Sequence, residues 1–83
     1  MTYSIETTIG TYKVEIQTNE VYSFGTEYHS TIRKENKVVA KIMDLRQVKM
    51  GFVPSPYHNE IIGLSEMQAV TLHRVAVKMH KAA

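Results

Sequence analysis

The sequence predicts an α+β domain, an antiparallel meander of four to five strands with one C-terminal amphipathic helix packed on one face. Apolar and polar residues alternate through most of the chain, short turn-forming segments separate these runs, and the last segment changes to helical spacing. Eighty-three residues leave room for one core, so residues 1–83 form a single domain. The predicted strands span about 3–9, 12–18, 22–34 and 38–45, with a short fifth at 47–53, and the helix spans about 65–81.

The first two strands are predicted to form a hairpin around a two-residue loop at Gly10-Thr11. This loop pairs Ile9 with Tyr12 and Ile5 with Ile16, which places the apolar residues of both strands on one face. Glycine in the first loop position suits a type II′ turn, because that position requires a positive φ.

The third strand is predicted to point its even-numbered residues into the core. A three-residue loop at 19–21 places Ile16 opposite Phe24 on the buried face, whereas a two-residue loop buries the wrong set of side chains. Tyrosines on this face are expected in the core rather than on a base-stacking surface. They are Tyr3, Tyr12, Tyr22 and Tyr28.

The turn at 34–37 leaves the register of the fourth strand open between a three-residue and a two-residue loop. We favour the three-residue loop, because the other would point Lys41 into the core. Its inward residues are Val38, Ala40 and Ile42, and its outward residues are Val39, Lys41 and Met43. Val48, Met50 and Phe52 alternate in the same way and predict the short fifth strand.

The helix is predicted to start at Ser65. Ser65 and Gln68 have the spacing of a capping box, in which each side chain binds the other residue's backbone N–H. The apolar face is expected to comprise residues at positions i, i+3, i+4 and i+7. These are Leu72, Val75, Ala76 and Met79.

No motif for catalysis, phosphate binding or metal binding is present in the sequence. His73 and His80 share the helix, but seven residues separate them by roughly 10 Å, too far for one metal ion. We therefore expect a non-enzymatic protein with no cofactor and no metal. The four histidines are expected at exposed or half-buried positions.

Charge is distributed unevenly along the chain although the net charge is only +2. Residues 1–30 carry four glutamates and one lysine, while residues 31–83 carry nine basic and four acidic residues. This asymmetry favours an acidic or a nucleic-acid partner for the later elements. The chain has no cysteine and no apolar run longer than three residues, so we expect a cytoplasmic protein that does not enter a membrane.

Two surfaces are candidates for binding a partner. On the helix, a basic stripe of Arg74, Lys78 and Lys81 lies beside a second apolar stripe, Val70 and Val77. We also expect this apolar stripe to form a homodimer. The open face of the sheet offers a similar mixture of apolar and basic residues. Its members are Arg33, Val39, Lys41 and Met43.

The leading functional expectation is a protein-binding inhibitor or accessory factor that docks on a partner with an acidic patch and acts by steric occupancy. In its small size and lack of cysteines and motifs, the chain resembles phage-encoded inhibitors of host or defence proteins. The order of elements resembles that of the whirly-type single-strand binders, which implies a nucleic-acid-binding module as the alternative. Glu6, Glu15 and Glu27 are expected on the outer sheet face, where they would repel a phosphate backbone.

Overall fold

The computed structural model describes residues 1–21, 25–43 and 60–83. Among these residues, five strands form one antiparallel sheet in chain order, and one helix packs against one face of it. The predicted α+β meander is therefore confirmed. The elements are β1 (Thr2–Thr7), β2 (Gly10–Val21), β3 (Gly25–Lys34), β4 (Lys37–Met43), β5 (Glu60–Ile61) and α1 (Glu66–Ala82).

The first hairpin turns two residues earlier than predicted. Thr8 and Ile9 form the loop, and Thr7 pairs with Gly10. The Thr7 hydroxyl donates to the Gly10 carbonyl at 2.8 Å and accepts from the Ile9 N–H at 3.2 Å, which stabilises this tighter position. The prediction that Ile9 is buried is wrong, since 52 % of it is exposed. Ile5 stays on the core side, because the change in register is an even number of residues.

The pairing of β2 with β3 is also displaced, again by an even number of residues. Ile16 lies opposite Ser30 rather than Phe24, because β2 continues to Val21, which pairs with Gly25. The inward face is nevertheless as predicted, with Ile32 fully buried. Three predictions lie outside the described residues: the inward positions of Tyr22 and Phe24, and the strand at 47–53.

A two-residue turn joins β3 to β4, so the predicted three-residue loop is wrong. Glu35 and Asn36 occupy the turn with φ values of 52° and 66°, as a type I′ turn requires. A β-bulge then restores the predicted inward facing of Ala40 and Ile42. It also turns Val39 toward the core, against the prediction that this residue faces outward.

The helix begins as predicted at a capping box. The Gln68 N–H donates to the Ser65 hydroxyl, the Ser65 N–H donates to the Gln68 side-chain oxygen, and both distances are 3.1 Å. Glu66 adds a negative charge to the first turn, where the helix dipole favours it.

The buried face of α1 differs from the predicted face by roughly one-fifth of a turn. Ala69, Leu72, His73 and Ala76 are buried. Val75 and Met79, predicted inside, are 40 % and 38 % exposed. This rotation places two histidines against the sheet, where each has a hydrogen-bond partner. The spacing of apolar residues alone does not predict these contacts.

The core between sheet and helix is built from small and branched side chains. Tyr12 is buried within it, and Tyr3 and Tyr28 pack against it while partly exposed. These three tyrosines therefore lie on the core side, as predicted. The fully buried core members are Tyr12, Val14, Ile16, Ile32, Ala40, Ile42, Ala69, Leu72 and Ala76.

Candidate functional site

The residues predicted to bind a partner lie on two opposite sides of the molecule. Arg74 and Lys78 are exposed on α1, which covers the inner face of the sheet. Lys41 is exposed on the outer face, where Arg33 and Met43 are half-buried. The two groups therefore form two separate candidate surfaces of this chain.

Three of the predicted partner-binding valines are less accessible than the sequence indicated. Val39 and Val77 pack against the core, and Val70 is half-buried. The predicted apolar stripe at Val70 and Val77 is therefore not spare at Val77, because the rotated helix uses this residue in its contact with the sheet.

Opposite charges lie close together on the outer face of the sheet. Arg33 Nη1 lies 3.2 Å from Glu15 Oε1, and both side chains are more than one-third exposed. Glu27 Oε2 lies 4.0 Å from His29 Nε2 on the same face. These acidic groups reduce the positive potential around Arg33, so a continuous track for phosphates is disfavoured on this face.

The solvent side of α1 combines apolar and basic residues along about 18 Å of helix. Met67 is 80 % exposed, and the exposed Val75 and Met79 follow it toward the C-terminal end. Arg74 and Lys78 lie beside them and are also exposed. We call these five residues the helix surface. Large apolar side chains flanked by cations are typical of a protein-binding patch.

A groove adjoins the helix surface at the start of α1. Its volume is about 320 Å³, and it lies between the turn of the first hairpin and the first half of the helix. Most of its lining surface is apolar, and its apolar lining residues are Ile9, Tyr12, Leu64, Met67 and Leu72. Because Met67 belongs to both features, the groove and the helix surface form one continuous region.

Sequence reasoning missed this region for two reasons. Ile9 was assigned to the core because the predicted hairpin loop placed it in a strand, whereas it occupies the turn itself. Met67 lies outside the apolar periodicity of the helix, on the side opposite the buried Leu72 and Ala76, and is exposed. The sequence did contain one signal for this region, an apolar residue close to the helix cap that does not follow the apolar periodicity of the helix.

One pair of side chains has the composition of a catalytic dyad but lies in the core. Ser30 Oγ and His73 Nδ1 are 2.5 Å apart, and the donor depends on the imidazole tautomer. Ser30 is 2 % exposed and His73 is 1 % exposed, so the expectation of an exposed or half-buried His73 is wrong. A nucleophile needs access to its substrate, and this burial makes the pair a structural link between β3 and α1.

A second histidine closes the other end of the helix on the sheet. The Tyr3 hydroxyl and His80 Nδ1 are 2.8 Å apart, and the rings of Tyr3 and Tyr28 both contact His80 edge-on. Lys81 Nζ lies 5.1 Å from the centre of the Tyr28 ring, a cation–π contact. Within residues 1–21, 25–43 and 60–83, no three His or acidic groups come together as metal ligands; His58 lies outside these ranges.

Comparisons with protein-family models, with curated proteins and with solved structures find no match to this chain. The helix in the described part of the chain lacks the length and apolar character needed to cross a membrane. Function is therefore inferred from the surfaces of this chain alone.

Proposed function

We propose that this chain is a non-enzymatic protein-binding factor that docks through the helix surface onto a partner with an acidic patch. The observation that carries the proposal is the exposure of Met67, Val75 and Met79 on one side of a single helix. Isolated apolar residues are common on protein surfaces, but three on the solvent side of one helix, the first of which lines an apolar groove, are typical of an interaction site.

The groove supplies the second part of the proposed interface. Hot spots in protein interfaces are commonly anchor side chains that fill a desolvated pocket. An aliphatic or aromatic side chain of the partner would enter between Ile9 and Met67, where both walls are apolar. Burial of these exposed side chains would supply most of the affinity.

Arg74 and Lys78 supply the charge preference. Both are exposed along the helix surface, and no acidic residue of α1 follows Glu66. Acidic side chains of a partner facing this stripe would accelerate association and fix orientation. Alternation of these cations with apolar residues suits a protein better than a phosphate backbone, which needs successive basic or polar contacts.

The proposed mode of action is steric occupancy, as in an inhibitor or accessory protein of the kind that phages encode. A chain of 83 residues with a preformed helix can cover a partner's surface without a cofactor. The absence of cysteine fits a cytoplasmic setting, in which thiols stay reduced and disulfides are rare. The alternative is binding to single-stranded nucleic acid, and the experiment must distinguish it from binding to a protein.

The proposal can be tested by affinity capture from host lysate with nuclease treatment, followed by affinity measurement on the purified partner. Val75→Glu and the double change Arg74→Glu/Lys78→Glu should each weaken binding by at least tenfold, because they place negative charge on the helix surface. Arg33→Glu/Lys41→Glu is the matched control, since it reverses two charges on the opposite face. Circular dichroism should show the same fold for every variant.

Two results would overturn the proposal. Loss of binding in the Arg33→Glu/Lys41→Glu variant alone would place the interface on the open sheet. Capture that disappears on nuclease treatment, with affinity for single-stranded DNA that falls steeply as salt increases, would establish the nucleic-acid alternative.

A further inference from the structure

The outer edge of β1 is an unoccupied hydrogen-bonding surface among the described residues. The Ile16 N–H donates to the Met1 carbonyl, and the Met1 amino group donates back to the Ile16 carbonyl. In an antiparallel pair, such doubly bonded positions alternate with positions whose backbone groups point away. The groups of Thr2, Ser4 and Glu6 therefore point away from β2, and no described residue bonds to them.

The sequence of β1 does not protect this edge. Exposed edge strands usually carry lysine, proline or a bulge that prevents pairing with another chain. The strand TYSIET contains none of these residues, and its pairing with β2 is regular from Thr2 to Thr7. Three N–H groups and three carbonyls are thus presented in line, ready to receive a further strand.

We infer that β1 pairs antiparallel with β1 of a second copy of this chain, about a two-fold axis at Ser4. This register places Ser4 opposite Ser4 of the second copy, and Thr2 opposite its Glu6. All three free residues on each strand are then used, which gives six interchain hydrogen bonds. No glutamate faces another glutamate, so like-charge repulsion is avoided.

The same register joins apolar side chains on the inner face. Tyr3 lies opposite Ile5 of the second copy, and Ile5 lies opposite its Tyr3. These positions are not hydrogen-bonded across the new strand pair, so their side chains approach most closely. Tyr3 and Ile5 are half-buried in a single chain and pack against its core, and the second copy would cover part of their exposed surface.

A second copy suits this edge better than an unrelated strand. In a single register it pairs the free backbone groups, places apolar side chains opposite each other and keeps the glutamates apart. The resulting interface continues the five-stranded sheet into one of ten strands. It differs from the dimer expected at Val70 and Val77, of which Val77 packs against the core of its own chain. None of its residues belongs to the helix surface, so each interface has its own set of variants.

Sedimentation equilibrium at high micromolar concentration tests the dimer. The wild-type chain should have a mass of about 19 kDa, twice its 9.5 kDa, and Ser4→Pro should reduce it to 9.5 kDa. Proline at this position removes a donor that faces away from β2, so the ladder within one chain is preserved. Ser4→Ala is the matched control and should remain dimeric.

Cysteine cross-linking tests the register without relying on proline. The chain has no native cysteine, so mild oxidation of Ser4→Cys should give a covalent dimer across the axis. Directly opposed hydrogen-bonded positions lie about 5.5 Å apart between Cα atoms, within the range of a disulfide. Lys13→Cys, one strand further in, should give no covalent dimer under the same oxidation, because its two copies would lie roughly 15 Å apart.

Three results would overturn the inference. They are a 9.5 kDa wild-type mass throughout the concentration range, a dimer that persists in Ser4→Pro, and Lys13→Cys cross-linking as readily as Ser4→Cys. A dimer lost on Val75→Glu but retained in Ser4→Pro would place the contact on the helix surface, against the β1 edge.

Discussion

Removal of the Ser30 hydroxyl tests how the sheet holds the helix. Ser30→Ala deletes one oxygen atom from a side chain that is 2 % exposed, so the lost packing volume is small. The hydrogen bond between Ser30 Oγ and His73 Nδ1 is lost, and burial prevents water from replacing it freely. Loss of a buried hydrogen bond of this kind costs about 1–3 kcal/mol in the free energy of unfolding.

Urea denaturation followed by circular dichroism measures this cost. A small domain has an m-value of about 1 kcal/mol per molar urea, so the midpoint should fall by about 1–3 M. That change is a large fraction of the roughly 5 kcal/mol expected for a marginal domain. A Ser4→Ala variant makes the same chemical change at an exposed strand position and should alter stability by less than about 0.5 kcal/mol.

Equal midpoints for Ser30→Ala and wild type would refute the reasoning. They would show that the contact between Ser30 and His73 contributes nothing to the stability of the helix–sheet packing. A reduced midpoint with unchanged m-value would support it, because the surface exposed on unfolding would be the same.

Two further changes test local structure. Gly10→Val should destabilise the domain by about 1–2 kcal/mol, because Gly10 has a φ of 134° and an added Cβ would lie 3.0 Å from Lys34 Cε. An unchanged thermal midpoint would contradict that conformation. Ser65→Ala should cost about 1 kcal/mol by removing the hydroxyl that accepts from the Gln68 N–H. Amide exchange of the first helical turn measures it, and unaltered protection would show that the cap is dispensable.

The sequence predicted which faces are buried better than it predicted which residues pair. Both β2 registers differ from prediction by an even number of residues, so Ile5 and Ile32 stay inside in either arrangement. A period of two cannot distinguish such alternatives, because every even displacement preserves the apolar face. At β4, the turn is one residue shorter than predicted, and the bulge restores the predicted inward positions that follow it. As a result, Val39 packs against the core although it was predicted to face outward.

The helix face could not be predicted from apolar spacing, because two polar residues belong to it. His73 and His80 enter the interface through Ser30 and Tyr3, which lie 43 and 77 residues away in the chain. A prediction from apolar residues alone places such histidines in solvent. The predicted buried face of the helix is then rotated relative to the observed one. The same error concealed the helix surface, since it placed Val75 and Met79 in the core. The capping box was predictable because its partners are only three residues apart.

The two proposed interfaces reinforce each other through symmetry. A two-fold axis that joins antiparallel β1 strands runs perpendicular to the sheet, so it keeps the helices of both copies on the same face. Both helix surfaces would then point away from one side of a ten-stranded sheet. A partner with two acidic sites, or an oligomeric partner, would meet both at once, and the second contact would form at high effective concentration. Pairing at the β1 edge would therefore strengthen binding at the helix surface without altering any residue that touches the partner.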